Sequence, residues 1–553
     1  MRAALRVVAV VVVAAGALAG CVADPEPADF DSGVAWDVNP QPAEKVRDGG
    51  DMVIGVGAFP SNFNLLHNDG NVYDTQRIVE PTMPRPYVSD AAGNISVNRN
   101  FFTDIRITGV DPQRVTFTIN PRAVWSDGSP ITWEDLASQA NALSGRDSRF
   151  QIAATNGFER VARVERGADE REAVLVFAQP YGDWMNLYDP VYPKAVTASP
   201  EAFNNADREQ LSISAGPYRM SRIDRVANRV TLERNPRWWG ARPKLDHITY
   251  TVIDGAAAVP AMLNREIDAT FDNLYNVNDA AMAHSSPDIA VRIAPDPSTS
   301  FVTFNGAPGA ILADARLRVA LAKAIDRRTI VKALQNGLVK DPKPLANHIF
   351  LQHQTGYRDN AQALDYDPAA ARRELDALGW RLHGEVREKQ GRRLEITDAL
   401  VDIPNGVSAA KIIRANLAAV GVRVNIRPYR YTGFFAEVIH PGRFDIAQHG
   451  WVHTQFPLGA LTQIYALDPN NLQGNYGHVG SAEINALIDR TVSELDPAKS
   501  RRLANEVDRK VSEIGFSIPM YELAGAIPVR TNVANFGAFG LATPDYTVLG
   551  FLK

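Results

Sequence analysis

One cysteine, Cys21, occurs among the 553 residues of this chain. Without a second thiol there is no disulfide framework, zinc ribbon or Cys-X-X-Cys redox pair, so stability must come from the size of the core. Long apolar runs are also scarce: beyond the N-terminal segment, none has the length of a membrane span. Basic clusters are missing too. Lys and Arg number 58 against 63 Asp and Glu, a net charge of −5, which removes the electrostatic footprint of a nucleic-acid-binding protein. The sequence contains no G-x-S-x-G elbow, H-E-x-x-H, P-loop or helix-opening G-x-G-x-x-G. Gly55-Val56-Gly57 runs into Ala58-Phe59-Pro60, which is no phosphate cradle. Carboxylates are plentiful, but spacing alone nominates no catalytic pair. The chain therefore reads as a non-enzyme with no cofactor.

What is present begins at the N-terminus. Arg2 and Arg6 precede an apolar stretch from Val7 to Leu18, too short for a permanent span and suited to a secretory signal. The segment Leu18-Ala19-Gly20-Cys21 resembles the bacterial lipobox, whose cysteine is acylated and becomes the mature N-terminus. That resemblance implies a signal peptide over 1–20 and a palmitate-type lipid on Cys21. It also implies a cell-membrane lipoprotein on the extracytoplasmic face. Residues 21–48 are acidic and proline-bearing, with Asp24, Glu26, Asp29, Asp31, Pro25, Pro27, Pro40 and Pro42, and read as a disordered tether.

The remainder is too long for one core, so two or more domains are expected. Its 45% apolar and 22% charged composition is that of a folded globular body. Thr132-Trp133-Glu134-Asp135 predicts a capped helix through Leu143, and Asp367-Pro368 predicts another that ends at Gly379. Lys411 to Val420 reads as helix, as do Ala482 to Leu495 and Pro497 to Ile514. Strands are expected at Met52–Val56, Val115–Ile119, Ala173–Phe177, Val230–Glu233, Ile248–Ile253 and Phe301–Asn305. The class is α/β, with no solenoid or coiled-coil period.

Five segments together resemble the family 5 solute-binding proteins of ABC importers, the peptide- and nickel-binding class. They are Val115–Ile119 followed by Trp125-Ser126-Asp127-Gly128-Ser129-Pro130-Ile131-Thr132-Trp133-Glu134-Asp135; Gly216-Pro217-Tyr218 with Arg234-Asn235-Pro236-Arg237-Trp238-Trp239; Leu263–Asp268, with Arg265 where glycine is usual; Asp314–Leu321 with Ala324-Ile325-Asp326-Arg327; and Tyr366-Asp367-Pro368 with the strand after Gly421. The resemblance implies a two-lobed periplasmic-binding-protein-like fold (class II, cluster C type) with an extra subdomain in the N-terminal lobe. The lobes would cover 49–290 with 519–553 returning, and 295–518. Most motif residues, Trp125, Asp127, Gly128, Asp135, Trp238 and Trp239 among them, read as turn formers and core fillers.

The function implied is capture of a peptide or other solute between the lobes, for delivery to an ABC permease and its ATPase by a monomeric, lipid-anchored protein. The other reading is a sensor or scaffold of envelope (glyco)lipid biosynthesis on the same fold. In peptide-binding members a G-W-x-x-D segment anchors the peptide's ammonium. Here Gly450-Trp451-Val452-His453-Thr454 places Thr454 at the Asp position, and a hydroxyl cannot replace a carboxylate opposite a cation. Glu522 is the substitute carboxylate to test, its alternative reading being a surface charge; Thr454, Tyr521 and Glu522 all count among the expected ligand contacts. Phe63 and Asn64, in the loop after the first strand, are expected to face the ligand, as are Tyr431, Phe434, Trp451 and His453. Phe456 and Tyr465 extend this aromatic set. His449 and His453 form H-x-x-x-H, but on a strand and loop with no acid between them, so they read as hydrogen-bonding or lining groups and not as metal ligands.

Overall fold

Two long strands, Ile289–Phe304 and Ser517–Arg530, run antiparallel through the middle of a ten-stranded sheet and tie its two halves together. The computed structural model describes residues 36–155, 157–274, 277–430, 433–469 and 471–553. The signal segment, Cys21 and Tyr431 lie outside them. Among the described residues no helix is long and apolar enough to cross a membrane.

On one side of the crossing strands, Ala269–Thr270, Asp51–Val56 and His247–Val252 are parallel neighbours, followed by antiparallel Arg229–Arg234 and Tyr218–Asp224. On the other side, Ile446–Val452, Glu395–Val401 and Arg423–Tyr429 form a second parallel set. Val529 pairs with Ala269, and Thr299 with Trp451, which fixes the polarity of both sets. Their carboxyl ends point toward each other across the middle of the crossing strands. Pairing there is interrupted: the register shifts between Pro295 and Thr299 and again between Ser300 and Phe301. The result is the two-lobed α/β fold.

The first lobe has one large core. It runs from Met52 and Ile54 through a separate four-stranded antiparallel sheet, Phe102–Val110, Gln113–Ile119, Glu172–Phe177 and Val161–Arg166, to the tail residues Phe536, Phe539 and Phe551. That sheet is the extra subdomain. Helix Trp133–Ala142 packs against it and opens with the expected capping box, Asp135 accepting from the Thr132 N–H at 2.8 Å. Asp135 also accepts from the Lys194 N–H (2.7 Å) and the Trp125 indole (3.4 Å), so this motif residue is a structural hub. Gly128 turns the preceding loop at φ 96°, a backbone state that suits glycine. The second lobe has two main cores, one around Leu317, Leu321, Ile413 and Ile518, the other around Phe350, Tyr465, Leu487 and Val507.

Two expectations change. The helix foreseen from Lys411 begins earlier, at Pro404, and runs to Ala418. The tether foreseen through 48 is shorter: Asp37 bridges to Ala538, Val46 bridges to Leu552, and Val38 and Val46 are fully buried. The buried guanidinium of Arg292 holds this junction by donating to the carbonyls of Val38, Val533 and Phe536, and burial pulls its pKa down to about 10. Local composition suggested disorder because the partners of 37–46 lie at the far end of the chain.

Candidate functional site

In open α/β sheets, ligands settle in the crevice outside the carboxyl ends of parallel strands. Here two such edges face each other, with Pro295–Thr299 and the segment around Glu522 as the floor between them. The site is built from those three surfaces.

On the first lobe, Gly57 follows strand Asp51–Val56. A Cβ placed there would stand 3.6 Å from Asp74 Oδ2 and 3.7 Å from Asp272 Oδ2, so two carboxylates converge on this one glycine. Asp74 lies in the first turn of helix Tyr73–Val79 and accepts from the Gly57 N–H at 3.1 Å. Asp272 follows the short strand Ala269–Thr270. Burial, then the neighbouring Asp74, pushes its pKa up to about 6. Asp296, on the floor, accepts from the Asn273 amide (3.0 Å) and the Ser298 N–H (2.8 Å). Arg77 donates to the Tyr73 hydroxyl (3.0 Å), lies over the Phe271 ring and pairs with Glu80. Tyr73, Arg77, Phe271, Asp296 and Gly525 enclose a cavity of about 30 Å³, room for one water. Among the described residues no Lys, Arg or His pairs with Asp74, Asp272 or Asp296, so this wall carries negative charge without a paired cation.

On the second lobe, Val452 and Ile403 are exposed at the strand ends. Half-buried Trp451 stacks on Tyr476, their planes 10° apart, and His449 meets Trp451 and Tyr476 edge-on. Burial lowers both His449 and His453 to about 4, so the imidazoles are neutral at physiological pH. Thr303 Oγ1 bonds His449 Nε2 and Thr299 Oγ1 bonds His453 Nε2, each at 2.9 Å. The two rings thus serve separate threonines. No group of three or more metal-ligating side chains occurs among the described residues.

Several expected contacts lie elsewhere. Phe63 and Asn64 are fully buried in the first lobe. Tyr192 donates its hydroxyl to the Phe63 carbonyl (2.8 Å) and accepts from the Leu65 N–H, while Asn64 bonds the Phe203 carbonyl and the Leu66 N–H. Both residues pin the loop and neither offers a face to a ligand. Phe434 fills a small core with Val438, Ile439 and Phe444. Tyr465 is buried and donates to the His348 carbonyl. Phe456 belongs to the core of the opposite lobe. Thr454 is exposed, but its hydroxyl accepts from the Phe456 N–H (3.0 Å), a local turn. Tyr521 is half-buried and bonds Ser300. Glu522 is buried; its Oε2 accepts from the Gln352 N–H (3.2 Å), and its Oε1 lies 3.0 Å from His353 Nδ1 with no hydrogen bond of its own. Of the expected set, Trp451, His453, Thr454 and Tyr521 border the crevice.

Sequence reasoning missed Tyr73, Asp74, Asp272, Asn273 and Asp296. The one available signal was Pro295-Asp296-Pro297, an acid between two prolines; Asp74 opens a helix and Asp272 follows a two-residue strand that the sequence pattern does not reveal.

The family described as bacterial extracellular solute-binding proteins, family 5 (middle), matches residues 108–471. The oligopeptide-binding protein OppA of Mycobacterium tuberculosis is 48% identical over 524 residues, covering 94% of this chain and 88% of that protein. Among solved structures, the periplasmic EDTA-binding protein EppA superposes with a TM-score of 0.86 at 22% identity, covering 93% of this chain and 98% of its own. The oligopeptide-binding protein AppA from Bacillus subtilis, solved with a nonapeptide, gives 0.75 at 18% identity, covering 92% and 100%. These structural likenesses concern the fold.

Proposed function

As this chain belongs to family 5 of the bacterial extracellular solute-binding proteins, we propose that it captures a peptide between its two lobes and delivers it to an ABC importer. Its identity to OppA across nearly the whole chain carries this reading. The facing strand edges supply the enclosure. The wall of Asp74, Asp272 and Asp296, without a paired cation, suits the ammonium end of a peptide, a role Thr454 cannot fill because its hydroxyl is committed to Phe456. Trp451, Tyr476 and exposed Val452 offer apolar and aromatic surface to the peptide's side chains.

Bending at Pro295–Ser298 and at the adjoining part of Ser517–Arg530, where the ladder is interrupted, opens and closes the crevice. The lipobox-like segment places a lipid on Cys21, which anchors a monomer at the extracytoplasmic face of the membrane. Titration calorimetry with unmodified peptides of about five to nine residues tests the reading: one-site binding supports it. No heat with any of them, alongside binding of a non-peptide solute, refutes it.

A further inference from the structure

Away from the hinge, the lobes meet along a seam. The ring of Phe456, from the second lobe, lies in the core of the first, edge-on to Tyr87 at 6.4 Å, and Tyr87 meets Trp184 in the same way. The Gly182 N–H donates to the Val492 carbonyl at 2.7 Å. A Cβ on Gly182 would fall 2.2 Å from the Glu494 carbonyl, so only glycine permits this approach. Asp183, next in the chain, is 6% exposed and accepts from the backbone N–H of Gly459, across the seam. Its Oδ2 has no hydrogen-bond partner. A Cβ on Gly459 would lie 3.1 Å from that oxygen and 2.8 Å from Asn186 Nδ2.

The titratable and charged groups on the elements packed here are Tyr181, Glu159 and Arg160, Tyr87, and Glu494. Arg160 donates to the Pro180 carbonyl and to Ser493 Oγ and lies over the Tyr181 ring. Among the described residues no ion pair reaches Asp183. A buried carboxylate with one donor and no cation is costly, whereas the protonated acid is tolerated there.

We propose that this seam is a proton-gated latch: closing the lobes buries Asp183 as the neutral acid, so the closed form gains population as pH falls. The inference rests on the opening and closing motion of the proposed function, not on the identity of the solute. In the conformation described, with the seam made, burial pushes Asp183 up to about 7, and we take this as the closed form. In the open form water returns the carboxyl to the ordinary range near 4. The closed form therefore binds the extra proton. Its advantage is full below the open-form value and is lost as pH rises through that interval to the closed-form value, at up to about tenfold per pH unit.

The test uses the full chain in detergent with Cys21→Ser and fluorophores on Val226→Cys and Leu382→Cys, both exposed positions on opposite lobes. Transfer efficiency is read from pH 5 to 8 with no peptide present, so failure of the peptide reading leaves the result interpretable. The closed-to-open ratio of the reference protein should fall by about tenfold or more. Asp183→Asn should stay at the low-pH value throughout. Asp398→Asn, which alters a buried acid also raised to about 7 but set inside one lobe against Gln448, should titrate like the reference. Gly459→Ala, which crowds Asp183, should shift the reading toward open at every pH. A reference protein insensitive to pH, an Asp183→Asn variant that titrates unchanged, or an equally flat Asp398→Asn variant would each overturn the latch.

Discussion

Thr299 and Glu522 stand directly opposite each other in the two crossing strands, just past the register shift at Pro295. Each is tied to the second lobe, Thr299 through His453 and Glu522 through His353 and the Gln352 N–H. This pair clamps the crossing on one side. The neighbouring Pro295-Asp296-Pro297 lies where the ladder register shifts, at the proposed hinge.

That clamp makes Glu522 a structural acid. Glu522→Ala strands the buried Gln352 N–H and removes the carboxylate beside His353, and should lower unfolding stability by ~2 kcal/mol. Urea denaturation followed by circular dichroism reads the loss, with peptide affinity changed by less than about threefold. A large loss of affinity with normal stability would return Glu522 to the ligand.

Phe63 is predicted to behave as core. Phe63→Ala should cost about 3–5 kcal/mol of stability. Thermal unfolding measures it, and the folded fraction should bind peptide as the reference protein does. Selective loss of binding in a protein of unchanged stability would contradict its placement.

Asp135 gathers the Thr132 N–H, the Lys194 N–H and the Trp125 indole, so removing it leaves several donors unmet. Asp135→Ala should destabilise by about 3 kcal/mol without touching the crevice, and Asp135→Asn should cost less because one amide oxygen still accepts. Paired urea titrations of the two variants check the order.

Asp272 is one of the three carboxylates proposed to receive the peptide ammonium. Asp272→Asn should weaken a peptide with a free N-terminus by about tenfold, and should leave its N-acetylated form nearly unaffected. Calorimetry on both peptides at one pH separates this from a general loss of binding. Equal weakening of the two would remove Asp272 from the anchoring role.

Local chemistry was readable in the sequence. The capping box at Thr132–Asp135 and the cap at Asp367 use contacts within three residues, and both form as expected; Asp496 caps the helix after it in the same way. Arg265, where the family resemblance implies glycine, adopts a left-handed φ of 62°, a backbone state that favours glycine. The crevice was largely hidden because its wall is assembled by strand pairing: Asp74 and Asp272 are distant in sequence and meet only through Gly57. Aromatic character alone misplaced Phe434 and Phe456, since a ring in a loop packs a core as readily as it lines a cleft. The segment 37–46 misled for a similar reason, its burial depending on the chain's other end.

The most direct measurement is mass spectrometry of the small molecules released when protein purified from cells is denatured. The account predicts a population of short peptides, reduced in the Asp272→Asn variant. A single stoichiometric non-peptide species, such as a glycolipid or a metal chelate, would contradict it.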